Sequence, residues 1–324
     1  MLTAVAVALV AQTPSLAAGA QTSAKIPHIG VLSPGAPATS SQLDAAFTQG
    51  LRDYGYVEGQ NIVIERRFAE GRAERLPEIV ADLVRLKPEV IVTSTDVAIA
   101  AVKRQTQSIP IVMANSTDPV GTGFVANLGH PGGNVTGLTG ISPELGAKRL
   151  ELLKEVVPGL SRVAIIWNPD DRGAVFEYKE AESAARPLRL ELQSVEMSRA
   201  DDLESAFSAL TAGRAEALMV VGSALAFTNR NQIVALAEKH RLPTVFGTRE
   251  YADAGGLIAY GSNLPAQWRR AATFVHKILK GAKPGDLPVE QPMQFELAVN
   301  LKTAKALGLT ISPSLLRKAD QVIQ

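Results

Sequence analysis

Ser94-Thr95-Asp96 and Asn115-Ser116-Thr117-Asp118 each close a short apolar run, VIV and IVMA, in hydroxyls, an amide and an acid. Ser33-Pro34-Gly35, Trp167-Asn168-Pro169, Ser223 and Phe246-Gly247-Thr248 end other apolar runs in the same way, and Glu250 follows the last of these by two residues. Hydroxyls and amides dominate the set, joined by acids and by the rings of Trp167 and Phe246. Such groups suit holding a small polar molecule by hydrogen bonds and stacking. Each also has a plainer role. Ser94, Thr95 or Asp96 could cap the helix that follows, Asp118 before Pro119 could open a turn, Trp167 could pack in a core, and Glu250 could face water.

Signatures of catalysis are missing. The chain has no G-x-S-x-G, no H-E-x-x-H, no Walker A and no EF-hand loop. GTGFVA (121–126) matches G-x-G-x-x-A, but NSTDPV separates it from the preceding apolar run, whereas a dinucleotide fingerprint needs its glycines in the strand-to-helix turn itself. The four histidines, His28, His130, His240 and His276, are scattered and none pairs in sequence with a metal ligand. Cysteine is absent, which excludes thiol catalysis, thiolate metal sites and disulfides. No catalytic residue, metal or cofactor is expected.

The elements that must position these groups alternate regularly. Apolar strands are predicted at 26–34, 61–68, 90–94, 110–115 and 134–140, with helices between them. Leu43, Phe47, Leu51 and Tyr54 share one face of the first helix, and Leu76, Ile79, Val80 and Leu83 one face of the second, with Pro77 in its first turn. A second series begins at Ser142, with strands at 162–169, 190–197, 217–223 and 242–247. This alternation predicts an α/β fold with parallel sheets and right-handed crossovers, and two series predict two lobes. The strand at 256–261, the helix through Trp268 and Val275, the KGAKPGDLP connection and the strand at 293–300 supply further elements after both lobes are complete. They are expected to cross between the lobes as a multi-strand hinge. Residues 25–140 with about 258–288 would form one lobe, and 141–257 with about 289–324 the other. In open parallel sheets ligands bind outside the carboxyl ends of the strands, where the polar clusters stand.

A chain of 324 residues suits two domains, and 46% hydrophobic with 20% charged residues suits a water-soluble fold. A net charge of +1 and the lack of a basic run argue against nucleic acid as a partner. The first 24 residues carry no charge, and MLTAVAVALVA is too short to span a bilayer. Small residues follow, so 1–20 reads as a secretory signal peptide, although no Lys or Arg precedes the apolar stretch. Export with no cysteine to carry a lipid predicts a free periplasmic protein.

IPIVMANSTDPVGTGFVANLGHPGGNVTGLTG (109–140), AGGLIAYG (254–261), LKGAKPGDLPVEQPMQFELAVNLKTAKALGLTI (279–311) and PSLLRKAD (313–320) resemble one group of ABC-transporter substrate-binding proteins. The likeness runs from about Lys25 to the C-terminus. It implies a type I periplasmic binding fold, two Rossmann-like lobes closing on a solute, in a group that includes aromatic amino-acid binders. It further implies that Ser94-Thr95-Asp96 and Thr117-Asp118 face the cleft from the first lobe, and Asn168 and the turn at Ser223 from the second. In amino-acid-binding relatives that turn usually carries an acid for the ammonium group, whereas this chain has Ser223-Ala224-Leu225. Asp96, Asp118 or Glu250 would have to substitute, or the ligand is not an amino acid.

Three functions follow for testing. The first is a monomeric solute receptor delivering a small polar ligand to an inner-membrane ABC permease. The second is a sensory binding protein that presents ligand to a membrane receptor. The third, disfavoured by the export signal and the missing phosphate loop, is a two-lobed glycosyltransferase or epimerase.

Overall fold

A computed structural model describes residues 26–140, 144–291 and 295–324. The expected signal peptide and the expected start of the second series at Ser142 lie outside the described residues. The first half of the chain contains β1 (His28–Ser33), α1 (Pro37–Asp53), β2 (Val63–Phe68), α2 (Leu76–Arg85), β3 (Val90–Ser94), α3 (Asp96–Gln105), β4 (Ile111–Asn115) and β5 (Val135–Gly137). Its strands form a parallel sheet in the order β2-β1-β3-β4-β5. β3 is buried at every position, as a strand covered by helices on both faces must be.

The second half contains α4 (Glu144–Val156), β6 (Arg162–Trp167), α5 (Arg172–Ala185), β7 (Glu191–Glu196), α6 (Leu203–Ala212), β8 (Ala217–Val220), α7 (Ala224–Thr228) and α8 (Arg230–Lys239). Then come β9 (Thr244–Phe246), α9 (Arg249–Asp253), β10 (Ile258–Ser262), α10 (Leu264–Leu279), β11 (Phe295–Asn300), α11 (Leu301–Leu307), α12 (Pro313–Lys318) and β12 (Gln321–Ile323). The second sheet runs β12-β11-β10-β9-β8-β6-β7, and only the β10–β11 pair in it is antiparallel. The two sheets make two α/β lobes, each with apolar clusters on both sheet faces.

The hinge departs from the expected boundary at residue 258. β10 hydrogen-bonds β9 and β11 inside the second sheet, while α10 and the stretch after it through Leu287 and Val289 pack on the first lobe. There Trp268 meets Phe47 of α1 edge to face at 6.2 Å between ring centroids. The approach is close because α1 carries Gly50 at the crossing, where a Cβ would collide with the Arg269 carbonyl oxygen and press on Ala272. Leu43, Phe47 and Leu51 are buried as their spacing predicts, whereas Tyr54 lies just past the helix end and stacks on His276 at 4.4 Å. The passage from the first lobe near Thr139 and the later one at Glu290 lie side by side. The Glu290 N–H donates to Gly137 O and the Thr139 N–H to Glu290 O, each at 2.9 Å.

Candidate functional site

The carboxyl ends of β1, β3 and β4 face those of the second sheet across a cleft, and loops from both lobes close around about 180 Å³. Ser33, Ser94, Thr95, Asp96, Asn115 and Thr117 line it from the first lobe, and Ser223 from the second. The strand-end rule therefore locates the cleft. How each side chain is used differs by residue.

Past the end of β4, successive side chains face opposite ways. Asn115 and Thr117 line the cleft, while Ser116 lies behind them, fully buried, and donates through Oγ to Asp96 Oδ1 at 2.6 Å. The Thr117 N–H reaches the same oxygen at 3.0 Å. Asp118 makes a turn instead of joining the cleft. Its Oδ1 accepts from the Gly121 N–H at 2.7 Å, and its carbonyl accepts from the Thr122 hydroxyl at 2.6 Å. Asn115 is held by α10, donating Nδ2–H to Gln267 Oε1 at 2.6 Å. Ser33 donates to Ser40 Oγ at 2.8 Å.

Thr95 carries backbone strain. It caps α3 at φ 66° and ψ 144°, a region that a β-branched residue avoids, and its Oγ1 is buried with no partner. The next residue, Asp96, is 3% exposed, and burial pushes its carboxyl above the ordinary carboxylate range. Its Oδ2 has no hydrogen-bond partner.

In the second lobe, several expected members stand elsewhere. Trp167 stacks on Tyr178 with centroids 4.5 Å apart and donates Nε1–H to Ser194 Oγ at 2.8 Å, so its ring is committed to the lobe's own packing. Asn168 accepts from the Asp170 N–H at 2.9 Å and lines a neighbouring small cavity. Phe246 is fully buried one layer behind the cleft, stacked on Tyr251 at 4.3 Å. Tyr251 itself lines the cleft, as does Thr248, while Glu250 between them does not. A helix turns about 100° per residue, so the first turn of α9 cannot present all three to one side. Ser223 combines lining with capping, accepting from the Ala226 N–H at 3.1 Å.

Residues outside the expected set complete the walls. Phe176, Phe227, Tyr251 and Trp268 supply rings, and Asp171, Glu177 and Glu180 supply acids. Asp171 caps α5, its Oδ1 accepting from the Gly173 N–H at 3.0 Å and the Ala174 N–H at 3.4 Å. Burial first, and the charge of Asp96 second, push its carboxyl up to about 7. Arg149 of α4, 5% exposed, donates Nε–H to the Tyr260 carbonyl at 2.8 Å and pairs with Glu177. Its guanidinium lies against Gly247 and Gly261; a Cβ at Gly247 would press on it, and one at Gly261 would collide first with the Gly247 carbonyl. Among the described residues, no group of three or more His, Cys, Asp or Glu is placed to hold a metal ion.

The profile of the family described as ABC transporter substrate binding protein matches residues 36–323. The chain belongs to this family. A tyrosine-binding protein of Clostridioides difficile is 26% identical over 264 residues, which cover 81% of this chain and 75% of the relative. A crystal structure of a conserved domain protein from Vibrio cholerae is 26% identical, with a TM-score of 0.86 over 92% of this chain and all of that one. A domain crystallised with L-Trp from Streptococcus pneumoniae is 24% identical, with a TM-score of 0.85 over 92% of this chain and 99% of the other, a likeness of fold. The protein is thus a substrate-binding protein of an ABC transporter, with two type I lobes around a solute cleft. No helix among the described residues is long and apolar enough to cross a membrane.

Proposed function

We propose that this substrate-binding protein is exported to the periplasm, acts as a monomer without catalysing a reaction, and presents an amino acid with an aromatic side chain to its permease. The reading divides the chain into one lobe of residues 26–140 with α10 and the stretch through Glu290, and another holding the remaining described elements. One observation carries it. Four cleft residues, Thr95, Asp96, Thr248 and Tyr251, each hold a buried polar atom with no hydrogen-bond partner, in a cleft that also contains the rings of Phe176, Phe227 and Trp268.

A buried polar group left unpaired costs about 1–3 kcal/mol, so several in one cleft mark groups kept for a visitor. Rings beside them give that visitor a stacking surface, worth about 0.5–1.5 kcal/mol per aromatic pair beyond the area buried. Micromolar affinity needs about −8 kcal/mol, within reach of a few charge-assisted hydrogen bonds plus stacking. The 26% identity to a tyrosine-binding protein supports the aromatic amino-acid class. A solute touching both lobes favours the closed arrangement, which the permease reads.

Thermal unfolding with L-tyrosine, L-tryptophan, L-phenylalanine, sugars, nucleosides and organic acids tests the proposal. A ligand at 100 times its Kd adds about 2.7 kcal/mol, a rise of roughly 5–10 °C. A rise of that size with an aromatic amino acid supports the proposal, and one with sugars or nucleosides alone refutes the ligand class.

A further inference from the structure

Charge is unevenly distributed around the cleft. Asp96, Asp171, Glu177 and Glu180 line it against one arginine, Arg149, which is already paired with Glu177. Asp96 and Asp171 come from opposite lobes and are nearly inaccessible, at 3% and 5% exposure. Asp96 accepts the Ser116 hydroxyl and the Thr117 N–H on Oδ1 and turns Oδ2 toward Gly173 of the other lobe, within 2.9 Å of where a Cβ on that glycine would stand. The same Gly173 donates its N–H to Asp171.

We infer that Asp96 and Asp171 together form the seat of a ligand's primary ammonium group, one carboxylate from each lobe, so that recognising the amine and closing the lobes are one event. The inference rests on reading the cleft as the solute site, and it names the chemical feature that the site selects. Two carboxylates drawn together out of water repel unless a proton or a cation accompanies them. An ammonium group brings one positive charge and three donors, enough to bridge both acids. The pair would also supply the acid that amino-acid-binding relatives were expected to carry at the Ser223 turn.

The raised carboxyl of Asp171 agrees with this arrangement, because a proton is the ammonium's competitor for the pair. The other charged groups around it are Glu177 on its own helix, Asp118 beside Asp96, and Arg72. Arg72 lines the small cavity next to Asp171 and is itself paired with Glu70.

The test measures the melting temperature of the purified protein with L-tyrosine, tyramine, 3-(4-hydroxyphenyl)propionate, L-lysine and cadaverine, and then titrates the compounds that bind. L-Tyrosine and tyramine are expected to stabilise the protein and the deaminated acid to leave it unchanged. Asp96→Asn and Asp171→Asn should each weaken amine binding by about 10- to 100-fold, the worth of a charge-assisted hydrogen bond. Each asparagine keeps an oxygen for the backbone N–H groups that its aspartate holds, and ligand-free circular dichroism melts verify the fold. Wild-type affinity for the amine should also fall below pH 7, by up to about tenfold per pH unit, and that slope should be lost in Asp171→Asn.

The inference is overturned if the deaminated acid binds as tightly as L-tyrosine, if both asparagine variants bind amines with wild-type affinity, or if none of the four amines raises the melting temperature. Binding of L-lysine or cadaverine but not of the aromatic amines would remove the aromatic class and leave the acid pair standing.

Discussion

Gly173→Ala separates closure from folding. Gly173 lies in the first turn of α5, and a Cβ there would stand 2.6 Å from Thr117 Oγ1, 2.8 Å from Thr117 Cβ and 2.9 Å from Asp96 Oδ2, all in the opposite lobe. Neither neighbour yields easily. Thr117 is β-branched and stiff at χ1, and Asp96 is fixed by its bonds from Ser116 and the Thr117 N–H. The lobes themselves must therefore part. Overpacking by one methyl costs about 1–3 kcal/mol, charged here to the closed arrangement alone, which is roughly a 5- to 150-fold loss of affinity. Within its own lobe the change is benign, since alanine is the better helix former by about 0.5–1 kcal/mol. The ligand-free melting temperature should hold or rise while the Kd for the best-stabilising amino acid increases. Small-angle scattering should show a larger radius of gyration with ligand than the wild type has. Gly129→Ala, where the nearest atom to the new Cβ is 3.6 Å away, serves as the inert control. Unchanged affinity together with wild-type compaction would refute the claim that these lobes meet at Gly173.

Four further changes test other parts of the site. Thr95→Gly relieves about 1–3 kcal/mol of backbone strain against about 0.5–1 kcal/mol of glycine entropy, so a melt should show equal or higher stability while a titration shows weaker binding. Trp167→Phe should leave affinity within twofold, because its ring stacks on Tyr178 away from the cleft. Arg149→Met should lose about 2–4 kcal/mol in urea unfolding, less than a fully buried pair would cost because Glu177 keeps some contact with water. Removing Glu177 as well should recover part of that loss. For pH, the folded carboxyl of Asp171 sits near 7 against an ordinary 3.8, so the folded state holds this proton more tightly than the unfolded chain does. Its contribution is full below about pH 4 and lost as pH rises toward 7, at most about 4 kcal/mol. Ligand-free melts from pH 4 to 8 should flatten in Asp171→Asn.

The layers of this fold are legible in the sequence because each strand and helix obeys its own local period. β3 begins as the apolar run Val90-Ile91-Val92 and is buried throughout, and α1 repeats Leu43, Phe47 and Leu51. The lobe assignment of the strand at 258–262 is not legible in this way. Both sheets accept the same apolar pattern, and pairing with β9 and β11 is a long-range choice. The strand-end rule gives the level of the cleft, and orientation then decides membership residue by residue. Asn115 and Thr117 turn in and Ser116 turns away, while Asp118 takes the turn role that its neighbour Pro119 had already suggested.

Asp171 shows why the most heavily charged part of the cleft escapes a reading strand by strand. In sequence it is an ordinary helix cap, four residues past the end of β6, and its backbone hydrogen bonds satisfy that role completely. Nothing local distinguishes a cap that faces water from one that closing lobes carry against a second acid. The distinction arises only when α5 and α3 meet, because then the desolvation of one carboxylate depends on the other, 75 positions earlier in the chain. Such a pair is unfavourable for an empty closed protein, and that is its use in a receptor. The lobes gain from closing chiefly when a cation arrives with them, so the permease meets the closed form mainly when there is something to transport.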